Sequence, residues 1–230
     1  MNCRLRFVGQ VICLIWGLLA NASVVRAQEL LTLQSTALQR LQNGNERFAN
    51  DKLAKKNLGT ARRQELAQGQ RPFAVVLACA DSRVAPELIF DQGLGDLFVV
   101  RVAGNVTNSE IIGSIEYALA ELKTPLVVVL GHEECGAVKA ALSEEHLSGN
   151  LGKLIARIYV GREPAQDKDK ANKLASAIRA NVVHQVDELS RESPIIKDFA
   201  QSKRVAIQGG IYSLRTGKVQ WLERSSAKQP

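Results

Sequence analysis

Two thiolates and an imidazole able to share one metal ion lie in the segments Cys79-Ala-Asp81-Ser-Arg83 and His132-Glu-Glu-Cys135. Two cysteines and a histidine form a zinc ligand set with one coordination position left over, and an open position is where a metal does chemistry. Asp81 and Arg83 follow the first thiolate closely. Paired with each other, they would keep a carboxylate ionised and aimed beside the metal. The plain alternative is a disulfide. Cys3 and Cys13 fall within the first 27 residues, so Cys79 and Cys135 are the only pair left in the rest of the chain. In an oxidising compartment two such cysteines would often be joined. Their titratable neighbours, and a histidine close before the second, favour metal. His146 and His184 have no comparable context, and His184 reads as a packing or surface residue in mid-helix.

The elements that must position these residues form an alternating pattern. Phe73–Ala78, Leu97–Val102 and Leu126–Leu130 are apolar runs of strand length, as expected for strands buried on both faces of a parallel sheet. Between the second and third, Ser109–Leu122 carries Ile112, Ile115, Leu119 and Leu122 on one helical face, with Ser109 as its cap. The expected fold is therefore α/β, with a central, largely parallel sheet flanked by helices and right-handed crossovers. An amino-terminal helical arm over Leu30–Ala49 and a short helix over Thr60–Gln68 precede it. Helices are expected over Ala137–Leu142, Leu151–Val160 and Ala171–Arg191. A strand over Arg204–Gln208 then leads into Ile211–Leu214, and Thr216-Gly217 turns the chain into an edge hairpin ending at Val219–Leu222. Cys79 directly follows the first strand and His132 lies just past the third. Both thus project from the carboxyl edge of the sheet, where α/β folds hold ligands. Cys135 is expected to open a helix, whose amino end favours a thiolate.

Residues 1–27 read as a secretory signal: Arg4 and Arg6, an apolar stretch over Val11–Ala20, and a cleavage site at Val25-Arg26-Ala27. The stretch is short for a membrane span. The expected product is a single domain, residues 28–230, in the periplasm or secreted, with no membrane attachment after cleavage. Cleavage would lower the formal charge from +7 to +4. That mild charge, without dense basic runs or basic–aromatic alternation, argues against a nucleic-acid partner. Lys55-Lys56 and Arg62-Arg63 read as solvated faces.

Cys79-Ala-Asp-Ser-Arg83 followed by Gly131-His-Glu-Glu-Cys-Gly136 resembles the signature of the β-class carbonic anhydrases. Gly95-Asp-Leu-Phe-Val-Val-Arg101, Ala103-Gly-Asn105, Ser114-Ile-Glu-Tyr117, Ile207-Gln-Gly-Gly-Ile-Tyr212 and Gly217-Lys-Val-Gln-Trp221 extend the likeness over nearly all of residues 28–230. The resemblance implies one Zn2+ per subunit on Cys79, His132 and Cys135, and reversible hydration of CO2 to bicarbonate and a proton through zinc-bound hydroxide. It implies that Asp81 takes the hydrogen bond from the zinc-bound oxygen while Arg83 holds it, with Asp81 as fourth ligand in a closed state. It places Gln70, Phe98, Tyr117 and Gly136 in the substrate pocket, as in the plant-type members. Ala103 stands where those enzymes tend to have valine, so the pocket is expected to be slightly wider. Val76 stands where another subgroup has the tryptophan of a non-catalytic bicarbonate site, so that allosteric site is expected to be absent. The family also implies a homodimer or homotetramer with its active site at the subunit interface. Two alternatives remain at this level: a zinc hydrolase of carbonyl sulfide or carbon disulfide on the same scaffold, and a non-enzymatic exported domain held by zinc or a disulfide.

Overall fold

The computed structural model describes residues 4–143, 147–161 and 170–223, so His146 lies outside the described residues. Among the described residues five strands form one sheet: β1 Ala74–Ala78, β2 Leu97–Arg101, β3 Leu126–His132, β4 Ala206–Tyr212 and β5 Val219–Trp221. Their order is β2-β1-β3-β4-β5. Four strands run parallel, and only β5 is antiparallel, forming the expected edge hairpin with β4. The arm is α1, Arg4–Ala49, followed by α2 Thr60–Leu66, α3 Pro86–Ile89, α4 Ser109–Ala120, α5 Gly136–Leu142, α6 Gly149–Ile155, α7 Lys170–Glu192 and α8 Pro194–Gln201. Among the described residues, no helix is long and apolar enough to cross a membrane.

The sheet is covered on both faces, and the strands divide their side chains by parity. Val75, Leu77, Val127, Val129 and Ile207 face Ile112, Ile115, Val182, Leu189 and Ile196 of α4, α7 and α8. Val76, Ala78, Val128 and Leu130 face the other way, onto Ala37 and Leu41 of α1 and onto Ile89 and Phe90. A third cluster caps the carboxyl edge, with Cys79 and Cys135 among Val106, Val138, Ile158, Leu174 and Ile178.

Several local expectations change: α6 ends at Ile155 rather than Val160, α3 and α8 are additional helices, and four further differences bear on the site or its packing. β3 runs on to His132, which pairs with Tyr212, so the histidine is the last strand residue rather than the first beyond it. β4 continues unbroken through Gly209-Gly210. A Cβ at Gly209 would lie 3.1 Å from Val182 and one at Gly210 3.0 Å from Val219, so the glycines allow close packing and join the expected segments Arg204–Gln208 and Ile211–Leu214 into one strand. Asn108, not Ser109, caps α4, its side chain accepting from the Ile111 N–H at 2.8 Å. Lys56 is not a solvated charge: it pairs with the buried carboxylate of Asp91.

That carboxylate ties the arm to the domain. Asp91 also accepts from Arg47 Nε at 2.5 Å and from the Ala54 N–H at 3.1 Å. Burial pushes its pKa up, but the bonds from Lys56, Arg47 and Ala54 outweigh burial and hold it below the ordinary value. A carboxylate with a lowered folded pKa contributes stability that is full above its unfolded pKa and is lost as pH falls through the folded one. Asp91→Asn should therefore cost roughly 2–3 kcal/mol at pH 7, the scale of hydrogen bonds to a charged group. Urea melts from pH 7 to pH 3 should show the wild type losing this margin below about pH 4. An equal loss at every pH would mean that the ionic contacts contribute nothing.

Candidate metal centre

Parallel pairing brings the ligand residues together. Ala78 pairs with Leu130, so Cys79 and His132 leave neighbouring strands at almost the same level, about 4.8 Å apart across the sheet. Glu134, in the left-handed region at φ 52°, turns the chain back, and Cys135 becomes the N-cap of α5. All three side chains are buried, and their ligand atoms lie within 4.8 Å of one another.

The two sulfurs are 4.0 Å apart and both cysteines are free. A disulfide needs an S–S distance of about 2.05 Å. Two thiolates on a tetrahedral zinc, each about 2.3 Å from it, sit roughly 3.8 Å apart. The spacing therefore suits a shared metal and not a bond. His132 Nδ1 lies 2.8 Å from the Glu133 carbonyl oxygen, which can only accept, so Nδ1 carries the proton. Nε2 then presents its lone pair, and this atom is buried without a hydrogen-bond partner among the described residues. A carbonyl on the far nitrogen is the usual way a histidine ligand is fixed.

Charge favours the same occupant. The Cys79 thiol is held well below its ordinary range, chiefly by its hydrogen bond from Cys135 and by the backbone N–H groups of Gly104 and Asp81, which together outweigh burial. The same contact, and burial, push the Cys135 thiol up. Cys79, rather than the helix-opening Cys135, thus holds the negative charge more readily. A cation between the sulfurs is what allows both to ionise. The three residues fit Zn2+ in donor type, number and spacing.

Asp81 and Arg83 form the expected pair. Arg83 Nε donates to Oδ1 at 2.9 Å and a terminal guanidinium nitrogen donates to Oδ2 at 2.7 Å. The Arg83 N–H also donates to Oδ1 at 3.0 Å, the Asx turn that an Asp-x-Arg sequence can make locally. These bonds, with the Arg83 side chain foremost, hold the Asp81 carboxyl well below the usual carboxylate range. Oδ2 stands 3.9 Å from His132 Nε2. Asp81 is therefore beside the three ligands but engaged with Arg83.

Arg101 was not singled out by sequence. Its guanidinium donates to the carbonyls of Cys79 at 3.1 Å and Asp81 at 2.7 Å, fixing the loop that bears both. The signal for it is an arginine closing an apolar strand. Gly104 carries no sequence signal beyond its place in Ala103-Gly-Asn105. Its N–H points at Cys79 Sγ from 3.3 Å.

The carbonic anhydrase family model matches residues 74–219. Carbonic anhydrase of Mycolicibacterium smegmatis is 42% identical over 192 residues, covering 80% of this chain and 91% of that one. Carbonic anhydrase 2 of Mycobacterium tuberculosis is 40% identical over 190 residues, covering 79% of this chain and 89% of the relative. The chain belongs to the β-class carbonic anhydrases. A solved tetrameric β-carbonic anhydrase from Sordaria macrospora superposes with a TM-score of 0.65 at 26% identity, covering 70% of this chain and 85% of that one.

As a β-class carbonic anhydrase, the chain keeps part of its expected pocket away from the ligands. Gly136 is adjacent to Cys135 and exposed, with open space where a Cβ would be. Phe98, however, pairs with Val75, four residues and so about 13 Å along the sheet from Cys79. Tyr117 is half exposed on α4, its ring 6.3 Å from that of Phe98. Gln70 precedes β1 and so lies toward the opposite edge of the sheet. His184 is stacked on Tyr159 at 4.5 Å and takes no part in the cluster.

Proposed function

We propose that this chain hydrates CO2 reversibly to bicarbonate and a proton, with one zinc per subunit held by Cys79, His132 and Cys135. The observation that carries the reading is the convergence of those three ligand atoms beside an Asp81 carboxylate clamped through both oxygens by Arg83. Zinc held there would supply a Lewis acid able to make hydroxide available from water near neutral pH. Two thiolates donate more charge than two imidazoles, so the chain itself must help to activate and aim the nucleophile. Asp81, ionised and able only to accept, takes a hydrogen bond from the attacking water and turns its lone pair toward the CO2 carbon. Arg83 keeps that carboxylate ionised and oriented. A C–O bond forms, one C=O bond becomes C–O⁻, and the proton leaves to solvent. Exchange of 18O from labelled CO2 into water tests the reaction. Wild-type protein should catalyse it, and turnover of carbonyl sulfide alone would overturn the assignment.

Gln70, Phe98 and Tyr117 complete the substrate pocket across a subunit interface in a homodimer or homotetramer. Supporting this, Leu97, Phe98 and Val99 on edge strand β2 are only half-buried where β1 and β3 are fully buried. Tyr117 is exposed beside them, and the Sordaria macrospora relative is tetrameric. These residues also favour the plant-type subgroup. Val76, buried in β1, offers no indole for a non-catalytic bicarbonate site, so added bicarbonate should slow hydration only as a product. Cooperative inhibition by bicarbonate would contradict that assignment.

The export reading completes the proposal, with residues 1–27 removed as a signal peptide and 28–230 working in the periplasm or secreted. The intact mass of the exported protein should begin at Gln28. A mass that begins at Met1 in that fraction would refute it.

A further inference from the structure

A buried amide network on α7 reaches the metal centre through one glycine. Gly104 sits in the left-handed region at φ 72°, and a Cβ there would lie 2.7 Å from Ile158 Cδ1. Its N–H donates to Cys79 Sγ at 3.3 Å, and its carbonyl accepts from Asn181 Nδ2 at 2.8 Å. Asn181 is fully buried. Its Oδ1 accepts from the Tyr159 N–H at 3.1 Å and from Gln185 Nε2 at 3.2 Å. Gln185, one turn on and also buried, accepts from both the N–H and the hydroxyl of Thr107 at 2.9 Å and donates to the Arg157 carbonyl at 3.3 Å.

Every donor and acceptor of this network has one assignment. Backbone carbonyls only accept and backbone N–H groups only donate, so the orientations of both amides follow. Two side chains on one helix face thus clamp residues 104, 107 and 157–159 into a single unit. Gly104 is held at both ends, by Asn181 through its carbonyl and by the Cys79 sulfur through its N–H. Without Asn181, the Gly104 carbonyl would be left buried and unpaired, a cost that a loop relieves by rotating its peptide planes. Such a rotation would turn the N–H off the sulfur.

We infer that Asn181 is a positioning residue for the metal centre, holding Gly104 so that its N–H bonds to Cys79 Sγ. The inference rests on Cys79, His132 and Cys135 binding a metal. An N–H···S bond draws charge from the thiolate, fixes the sulfur's direction and leaves the metal a stronger Lewis acid. This offsets in part the charge donated by two thiolates. It also ties metal affinity to a helix that supplies no ligand.

The test uses the Co2+-loaded chain, in which sulfur-to-cobalt charge-transfer absorption reports on the thiolates, together with zinc affinity from chelator competition. Asn181→Ala should bind zinc about 10–100-fold more weakly, the usual cost of losing a group that orients a ligand, and its charge-transfer band should shift. Leu189→Ala is the control, since Leu189 is equally buried on α7 but packs in the cluster on the sheet face, away from the ligands. It should lower the melting temperature while leaving band and affinity as in the wild type. Wild-type band and affinity in Asn181→Ala would overturn the inference. If that variant does not fold, 113Cd-loaded wild-type protein gives the answer. The Gly104 amide proton should show scalar coupling to cadmium across the N–H···S bond, and its absence would equally overturn the inference. A wild-type chain that took up neither zinc nor cobalt would instead fail the metal reading beneath it.

Discussion

Cys79→Ser and Cys135→Ser should each lose most bound zinc and all measurable CO2 hydration. A four-ligand zinc site gains about 10–16 kcal/mol, so one ligand is worth on the order of 3 kcal/mol, a factor of at least ~10² in affinity. A serine hydroxyl cannot replace the thiolate, because it stays protonated near neutral pH. The fold should survive, because the cluster at the carboxyl edge also contains Val106, Val138, Ile158, Leu174 and Ile178, none of which changes. The check is metal content by mass spectrometry, with circular dichroism for the fold. A Cys79→Ser protein that kept a full zinc complement and wild-type turnover would exclude this ligand set.

Asp81→Asn should keep zinc and lose most of its turnover, by about 10–100-fold. The amide has nearly the same shape, but it carries no charge and presents a donor on one side. It can no longer accept from water while both of its polar ends face Arg83. Arg83→Ala should act in the same direction by a different route. Arg83 now supplies three of the hydrogen bonds that hold Asp81. With the two from its side chain gone, Oδ2, already 3.9 Å from His132 Nε2, is free to swing onto the metal as a fourth ligand. The two variants should then differ spectroscopically: cobalt in Arg83→Ala would gain an oxygen donor that cobalt in Asp81→Asn would not. If Asp81→Asn were as fast as wild type at every pH, the carboxylate would have no part in aiming the nucleophile.

Much of this was legible in the chain because it rests on short-range rules. Continuous apolar runs of strand length such as Phe73–Ala78 fit strands buried on two faces, and Cys79 at the end of one then emerges at the carboxyl edge. The Asp81–Arg83 pair is local, closed by an Asx turn over two residues. What escaped the sequence depends on contacts between distant segments. Asn181 looks like any polar residue of a long helix until Gly104 and Tyr159 are seen to converge on it. Lys56 looks solvated until the fold delivers Asp91. Arg204–Gln208 and Ile211–Leu214 join into one strand through Gly209-Gly210, where crowding by Val182 and Val219 makes glycine the residue that fits. The placement of Phe98 and Tyr117 is of the same kind. Their types suit a pocket, but that the register of β2 on β1 sets them toward the other end of the sheet from the Cys79 of the same subunit is not legible in the chain.

The most direct measurement is stopped-flow CO2 hydration by the protein as purified, after removal of metal by a strong chelator, and after return of one equivalent of zinc. The expected result is rapid hydration, its loss on chelation, and its recovery with stoichiometric zinc in the wild type but not in Cys79→Ser. Full hydration by the metal-free protein would contradict the central claim.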